Sequence, residues 1–150
     1  MNIHILYGTE SGNAELVASD VSDELEGSHA VDLDDLGDFD PSDFDDSTLY
    51  LIVCSTHGEG ELPQSARPFA DAFADLQPDL AGVRYAIFGL GDSTYANYSR
   101  GSEHIDEMLT SRGATRVGDY GRHDAAGHRD ASQLASEWAA GVLTAEAVPA

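Results

Sequence analysis

Hydroxyl, amide and glycine residues crowd into three short stretches of this chain: "YGTESGNAE" at 7–15, "CSTHGEGELP" at 54–63 and "FGLGDSTYANY" at 88–98. None holds a lysine or arginine. In the first, the apolar run "IHILY" stops at Gly8 and a helix pattern begins a few residues later. A loop that enters a helix N-terminus presents unpaired N–H groups and the positive end of the helix dipole, which suits a phosphate. Thr9 and Ser11 add hydroxyls, Asn13 an amide, and Gly12 permits close approach of the backbone. Ser11 acting as a helix N-cap would satisfy the same donors, and the loop alone leaves both readings open. A Walker loop is excluded, because it requires a lysine and the chain has none.

The second stretch has Gly58 and Gly60, which allow backbone conformations closed to other residues. A glycine peptide beside a ligand can present either its C=O or its N–H, and His57 can lay a flat ring against that ligand. The plainer alternative is a tight turn carrying an exposed histidine. The third stretch opens G-L-G-D, but Thr94 stands where a G-x-G-x-x-G dinucleotide loop needs its third glycine. What it offers instead is Asp92, an acceptor, and Tyr95, an aromatic plane. A planar heterocycle with an imide N–H beside Tyr95, carrying a phosphate into 8–14, satisfies all three stretches together.

These stretches need a frame. Residues 3–7, 29–33, 48–55, 83–90 and 115–120 read as strands, the third and fourth apolar nearly throughout, as in a sheet buried on both faces. Helical spacing places Ala14, Val17, Ala18, Val21 and Leu25 on one stripe, and Ala66, Phe69, Ala70, Phe73 and Leu76 on the next, ended by Pro78. Ile105, Met108 and Leu109 mark a third helix that stops at Gly113, and Leu134, Trp138 and Val142 a fourth. Strands alternating with helices through short connections predict an α/β fold, one domain over 1–150, with a five-stranded parallel sheet between two helical layers. If the strand order is 2-1-3-4-5, ligands bind beyond the carboxyl ends of strands 1 and 3, where the order reverses. The three stretches lie at that end.

The segment "DLDDLGDFDPSDFDD" at 32–46 has eight aspartates without the spacing of an EF-hand, and reads as a solvated acidic connector. "HDAAGHRD" at 123–130 lacks zinc-ligand spacing. The lone Cys54 forms no intrachain disulfide and reads as a core thiol.

At the three stretches the sequence resembles the flavodoxin family, the type case of a 2-1-3-4-5 sheet with FMN at its switch point. It is most similar to the FMN domain of diflavin reductases of the sulfite reductase kind and to small stand-alone flavodoxins. The resemblance covers essentially the whole chain. It implies a flavodoxin-like three-layer sandwich and an FMN site. Thr9, Glu10, Ser11, Gly12, Asn13 and Ala14 correspond to the phosphate loop. Ser55, Thr56, His57, Gly58 and Glu59 correspond to the loop over one ring face. Gly89, Gly91, Asp92, Tyr95, Asn97, Tyr98 and Ser99 correspond to the loop at the other face and the pyrimidine edge. Tyr95 stands at the ring-stacking position, Asp92 near flavin N3, and Gly58 where a peptide turns its carbonyl toward N5 of the half-reduced ring. His57 replaces the more usual tryptophan or tyrosine, Ala14 lacks the hydroxyl of many flavodoxins, and Glu10 puts a charge beside the phosphate.

The resemblance implies a one-electron carrier rather than an autonomous enzyme, with redox proteins, a reductase and an acceptor, as partners. Two other functions are compatible with FMN on this fold: an NAD(P)H:quinone-type reductase, for which the short connections provide no nicotinamide site, and a non-redox FMN-binding partner protein. A phospho-acceptor receiver module is excluded, because strand 3 ends in "CST" and the chain has no lysine.

The chain has 28 acidic residues against 7 arginines, a net charge of −21, whereas a small soluble domain ordinarily carries about 2–8 charges of one sign. Self-repulsion of that size destabilises the compact state, and molar salt, with a Debye length of about 3 Å, relieves it. The composition therefore resembles that of a protein adapted to a salt-saturated cytoplasm; the alternative is an acidic surface made for basic partners. Nucleic acid and anionic membrane are unsuited to such a surface. No apolar run exceeds the six residues 49–54, so a soluble cytoplasmic monomer is expected.

Overall fold

The computed structural model describes residues 2–9, 12–56, 62–91, 100–118, 120–124 and 130–147. Six strands, β1 (Asn2–Gly8), β2 (Ala30–Asp35), β3 (Thr48–Ser55), β4 (Arg84–Gly91), β5 (Thr115–Arg116) and β6 (Gly121–Asp124), form one sheet in which every pairing is parallel. The order is β2-β1-β3-β4-β5, with β6 also paired to β4. Four helices pack on it: α1 (Asn13–Leu25), α2 (Arg67–Leu76), α3 (Arg100–Ser111) and α4 (Ala131–Ala147).

The period-2 alternation of the central strands builds two cores. Leu49, Leu51 and Val53 of β3, with Ala86, Phe88 and Leu90 of β4, face α1 and α4. Tyr50, Ile52 and Cys54, with Tyr85 and Ile87, face α2 and α3. At about 1.5–3 kcal/mol for each large apolar side chain buried, these two faces supply most of the drive to fold. The stripe read on the first helix is buried as its spacing predicts: Ala14, Val17, Ala18 and Val21 all lie in the first core.

One expectation needs correction. The fifth strand is not the continuous run 115–120. β5 pairs with Arg84–Tyr85, β6 pairs with Phe88–Gly91, and the edge spends five residues, from Arg116 to Gly121, where β4 spends three. Tyr120 accounts for the excursion: its hydroxyl meets Ser102 Oγ at 2.5 Å, and the Arg122 guanidinium lies 3.9 Å from its ring centre. These contacts draw the chain out of register before β6 resumes beside β4.

The acidic segment 32–46 has mostly exposed aspartates, as expected, and they do local structural work as well. Its aspartates cap turns, Asp35 accepting from Gly37 N–H at 2.8 Å and Asp40 from Ser42 N–H at 2.9 Å. The Ser42 backbone and hydroxyl bonds hold the Asp40 carboxyl below its ordinary range. Between these turns Phe39 and Phe44 pack edge-on against each other and against Tyr50.

Candidate functional site

The sheet order reverses at β1: the chain runs outward to β2 and returns on the other side to β3. The carboxyl ends of the inner strands are level there, with Gly8 opposite Cys54 and Ser55 opposite Leu90. Gly8 and Thr9 thus open onto the reversal point, where α/β sheets bind ligands.

Thr9 is fastened from both sides. Its N–H donates to Ser65 Oγ at 2.7 Å, and Ser65 N–H donates to its carbonyl at 3.1 Å. Its own hydroxyl accepts from Gly12 N–H at 2.7 Å. Gly12 is the N-cap of α1 and adopts the left-handed conformation, φ 96°, which penalises any residue with a Cβ. Gly12 has no side chain to accept from the first-turn N–H groups of Asn13, Ala14 and Glu15, and Ser11, the residue read as a possible cap, lies outside the described residues. Among the described residues, a Cβ built on Gly12 would meet nothing within 4 Å. A helix entered through a residue with no capping side chain has first-turn N–H groups to offer an anionic oxygen. Asn13 is exposed beside it, while Ala14 is buried beneath and anchors the turn in the core. The Tyr7 phenol nearby is pushed up to about 12, first by burial and then by Glu15, and so carries no charge at neutral pH.

Ser55 closes β3 with its hydroxyl donating to Gly8 O at 3.3 Å, which ties the second stretch to the first. The Thr56 hydroxyl accepts from Gly101 N–H at 2.9 Å, on the opening turn of α3. Gly89 is buried within β4, paired with Cys54 and Arg122, and Gly91 ends that strand. The expected residues Thr9, Gly12, Asn13, Ala14, Ser55, Thr56, Gly89 and Gly91 thus fall on the switch-point ends of β1, β3 and β4 or on the start of α1. Glu10, Ser11, His57, Gly58, Glu59, Asp92, Tyr95, Asn97, Tyr98 and Ser99 lie outside the described residues. Ser65 and Gly101 are additions that periodicity and motif do not reveal, since each matters only through a partner more than 40 residues away.

Carboxylates of α3 take up three of the arginines. Arg100 pairs with Glu107 at 2.8 Å, Arg116 with Asp106 at 3.0 Å and Arg122 with Glu103 at 3.1 Å, all on α3. Asp106 also accepts from Tyr85 OH at 2.5 Å, and this bond and burial push that phenol far above its ordinary range. Among the described residues no group of three or more His, Cys, Asp or Glu side chains is arranged to hold a metal, and no helix is long and apolar enough to cross a membrane. A polar cleft of about 490 Å³ lies at the amino ends of β1, β2 and β3, the opposite end from the reversal point.

The family model for flavodoxin matches residues 5–138. The chain is 32% identical over 145 residues to the protein MioC homolog of Haemophilus influenzae, covering 92% of this chain and 94% of that one. It is 34% identical over 143 residues to the sulfite reductase [NADPH] flavoprotein alpha-component of Bacillus subtilis, of whose length it spans 23%. Among solved structures, the flavodoxin of Streptococcus pneumoniae TIGR4 superposes with a TM-score of 0.80 at 25% identity, over 96% of this chain and 99% of that one. A family match over most of the chain, the reversed parallel sheet and the left-handed glycine entry to α1 agree: this chain belongs to the flavodoxin family.

Proposed function

We propose that this protein binds FMN at the reversal point of its sheet and carries single electrons between separate redox proteins, a reductase and an acceptor enzyme. The observation that carries the reading is the N-terminus of α1, entered through a left-handed Gly12 that has no capping side chain, just beyond the carboxyl end of β1. Bound FMN supplies the one-electron chemistry; the chain's residues bind it, orient it and set its surroundings. Thr9, Gly12, Asn13 and the first turn of α1 would take the phosphate, with Glu10 and Ser11 completing that loop. Ser55, Thr56, His57, Gly58 and Glu59 would line one side of the ring, and Gly89, Gly91, Asp92, Tyr95, Asn97, Tyr98 and Ser99 the other. The kinship with a flavoprotein component of an NADPH-dependent reductase supports exchange with redox partners. The net charge of −21 favours partners with basic docking faces.

Titration of flavin fluorescence in molar KCl tests the phosphate assignment. The wild-type protein is expected to bind one FMN and to bind riboflavin, which lacks the phosphate, far more weakly. In Gly12→Val a β-branched side chain must adopt φ 96° at the entry to the helix. FMN affinity should fall at least tenfold, about 1.4 kcal/mol, while riboflavin affinity stays nearly constant. Equal binding of FMN and riboflavin by the wild type would refute the phosphate site.

A further inference from the structure

α3 is capped from a distance. Its second residue, Gly101, has one of the early N–H groups that no helical carbonyl can reach, and the acceptor is Thr56 Oγ1 at 2.9 Å, at the end of β3 and 45 residues earlier in the chain. The contact is close as well as polar. A Cβ on Gly101 would stand 2.3 Å from Ser55 O, 2.9 Å from Thr56 Cα and 3.0 Å from Thr56 Oγ1. Ser55 in turn donates to Gly8 O, and Ser102, fully buried, meets the Tyr120 hydroxyl at 2.5 Å. A continuous run of contacts therefore joins the carboxyl end of β1, the end of β3, the start of α3 and the excursion before β6.

In sequence, Thr56 immediately precedes 57–61, and Arg100–Gly101 immediately follow 92–99. These are the two segments to which the proposed function assigns the faces of the flavin ring. We infer that Thr56 and Gly101 are a positioning pair: their hydrogen bond and close contact fix the end of β3 against the start of α3, the two points from which the proposed ring-binding segments depart. The inference rests on the FMN reading. Its physical basis is that two binding segments anchored at fixed, neighbouring points lose less freedom on closing around a ligand than two independent ones. Without the Thr56 acceptor the Gly101 N–H loses its partner, and with a side chain at 101 the helix must move off β3.

Four proteins in molar KCl test it: wild type, Thr56→Val, Thr56→Ser and Gly101→Ala, each checked by circular dichroism and titrated with FMN and with riboflavin. Thr56→Val and Gly101→Ala are expected to lose at least tenfold in affinity for both flavins, because the pair acts on the ring segments and not on the phosphate. Thr56→Ser, which keeps the hydroxyl, is expected to stay within about threefold of wild type. The potential of bound FMN should shift in Thr56→Val and return in Thr56→Ser. If Gly101→Ala does not fold, Thr56→Val decides, since it is isosteric with threonine. Wild-type affinities and potential in a folded Thr56→Val overturn the inference and leave the FMN reading intact. Failure of the wild type to bind either flavin overturns both.

Discussion

Transfer of the flavin-free protein from molar KCl to about 10 mM salt is expected to unfold it, since the Debye length then grows from about 3 Å to about 30 Å. The net charge of −21 sits on only 150 residues. The arginine ion pairs described above are made to carboxylates of α3, and in the acidic segment 32–46 Asp34 meets His4 at 2.8 Å. We read the acid surplus as a requirement for concentrated salt in folding. Cys54 is the reporter: it is the only cysteine, it is wholly buried, and burial pushes its thiol far above the ordinary range. It should resist a thiol reagent in molar KCl and react fully at low salt. Asp40→Asn and Asp45→Asn keep the turn-capping acceptors seen at Ser42 and Ser47 and remove charge, so together they should move the midpoint to lower salt. FMN at a hundredfold excess over its Kd should add about 2.7 kcal/mol of protection. A Cys54 that stays unreactive at low salt without flavin contradicts the salt requirement.

Trp138→Ala is expected to cost about 3–5 kcal/mol. Trp138 is nearly buried in the core beneath β4 and β6, its ring 5.4 Å from that of Phe88. Gly121, the first residue of β6, lies beneath the same two rings. A Cβ there would stand 2.5 Å from Phe88 Cδ2 and 2.8 Å from Trp138 Cδ1. Gly121→Ala should therefore cost about 1–3 kcal/mol through overpacking. The two changes should not add. Once Trp138 is truncated its ring no longer opposes the new methyl group, so the double variant should be more stable than the sum implies by at least about 0.5 kcal/mol. Urea unfolding in molar KCl gives all three values. Additive losses would mean that β6 is not packed against Trp138 as described.

The parts of this fold that follow from periodicity were legible in the sequence. The run 48–55 had to be buried on both faces, and its alternate residues do supply the two cores. The spacing of Ala14, Val17, Ala18 and Val21 gave the buried face of α1. What escaped the pattern depends on distant partners. The excursion of the edge strand is held by Ser102 and Arg122 around Tyr120, and nothing in "TRVGDY" shows that its tyrosine will meet a helix. The aspartates of 32–46 are largely exposed, as their composition predicts, but composition does not show that Asp35 and Asp40 also cap turns. For the site, residue types pointed to the loop at 8–14, but that Gly12 enters α1 in the left-handed conformation required the backbone angle. Ser65 and Gly101 carried no local signal at all.

The most direct test of the central claim is a stepwise reduction of the FMN-loaded protein under anaerobic conditions in molar KCl, followed by absorbance. Reduction in two resolved one-electron steps, with no reduction by NADPH until a flavoprotein reductase is added, is the behaviour of a one-electron carrier. Rapid reduction by NADPH alone in a single two-electron step would identify an autonomous reductase instead and contradict the account.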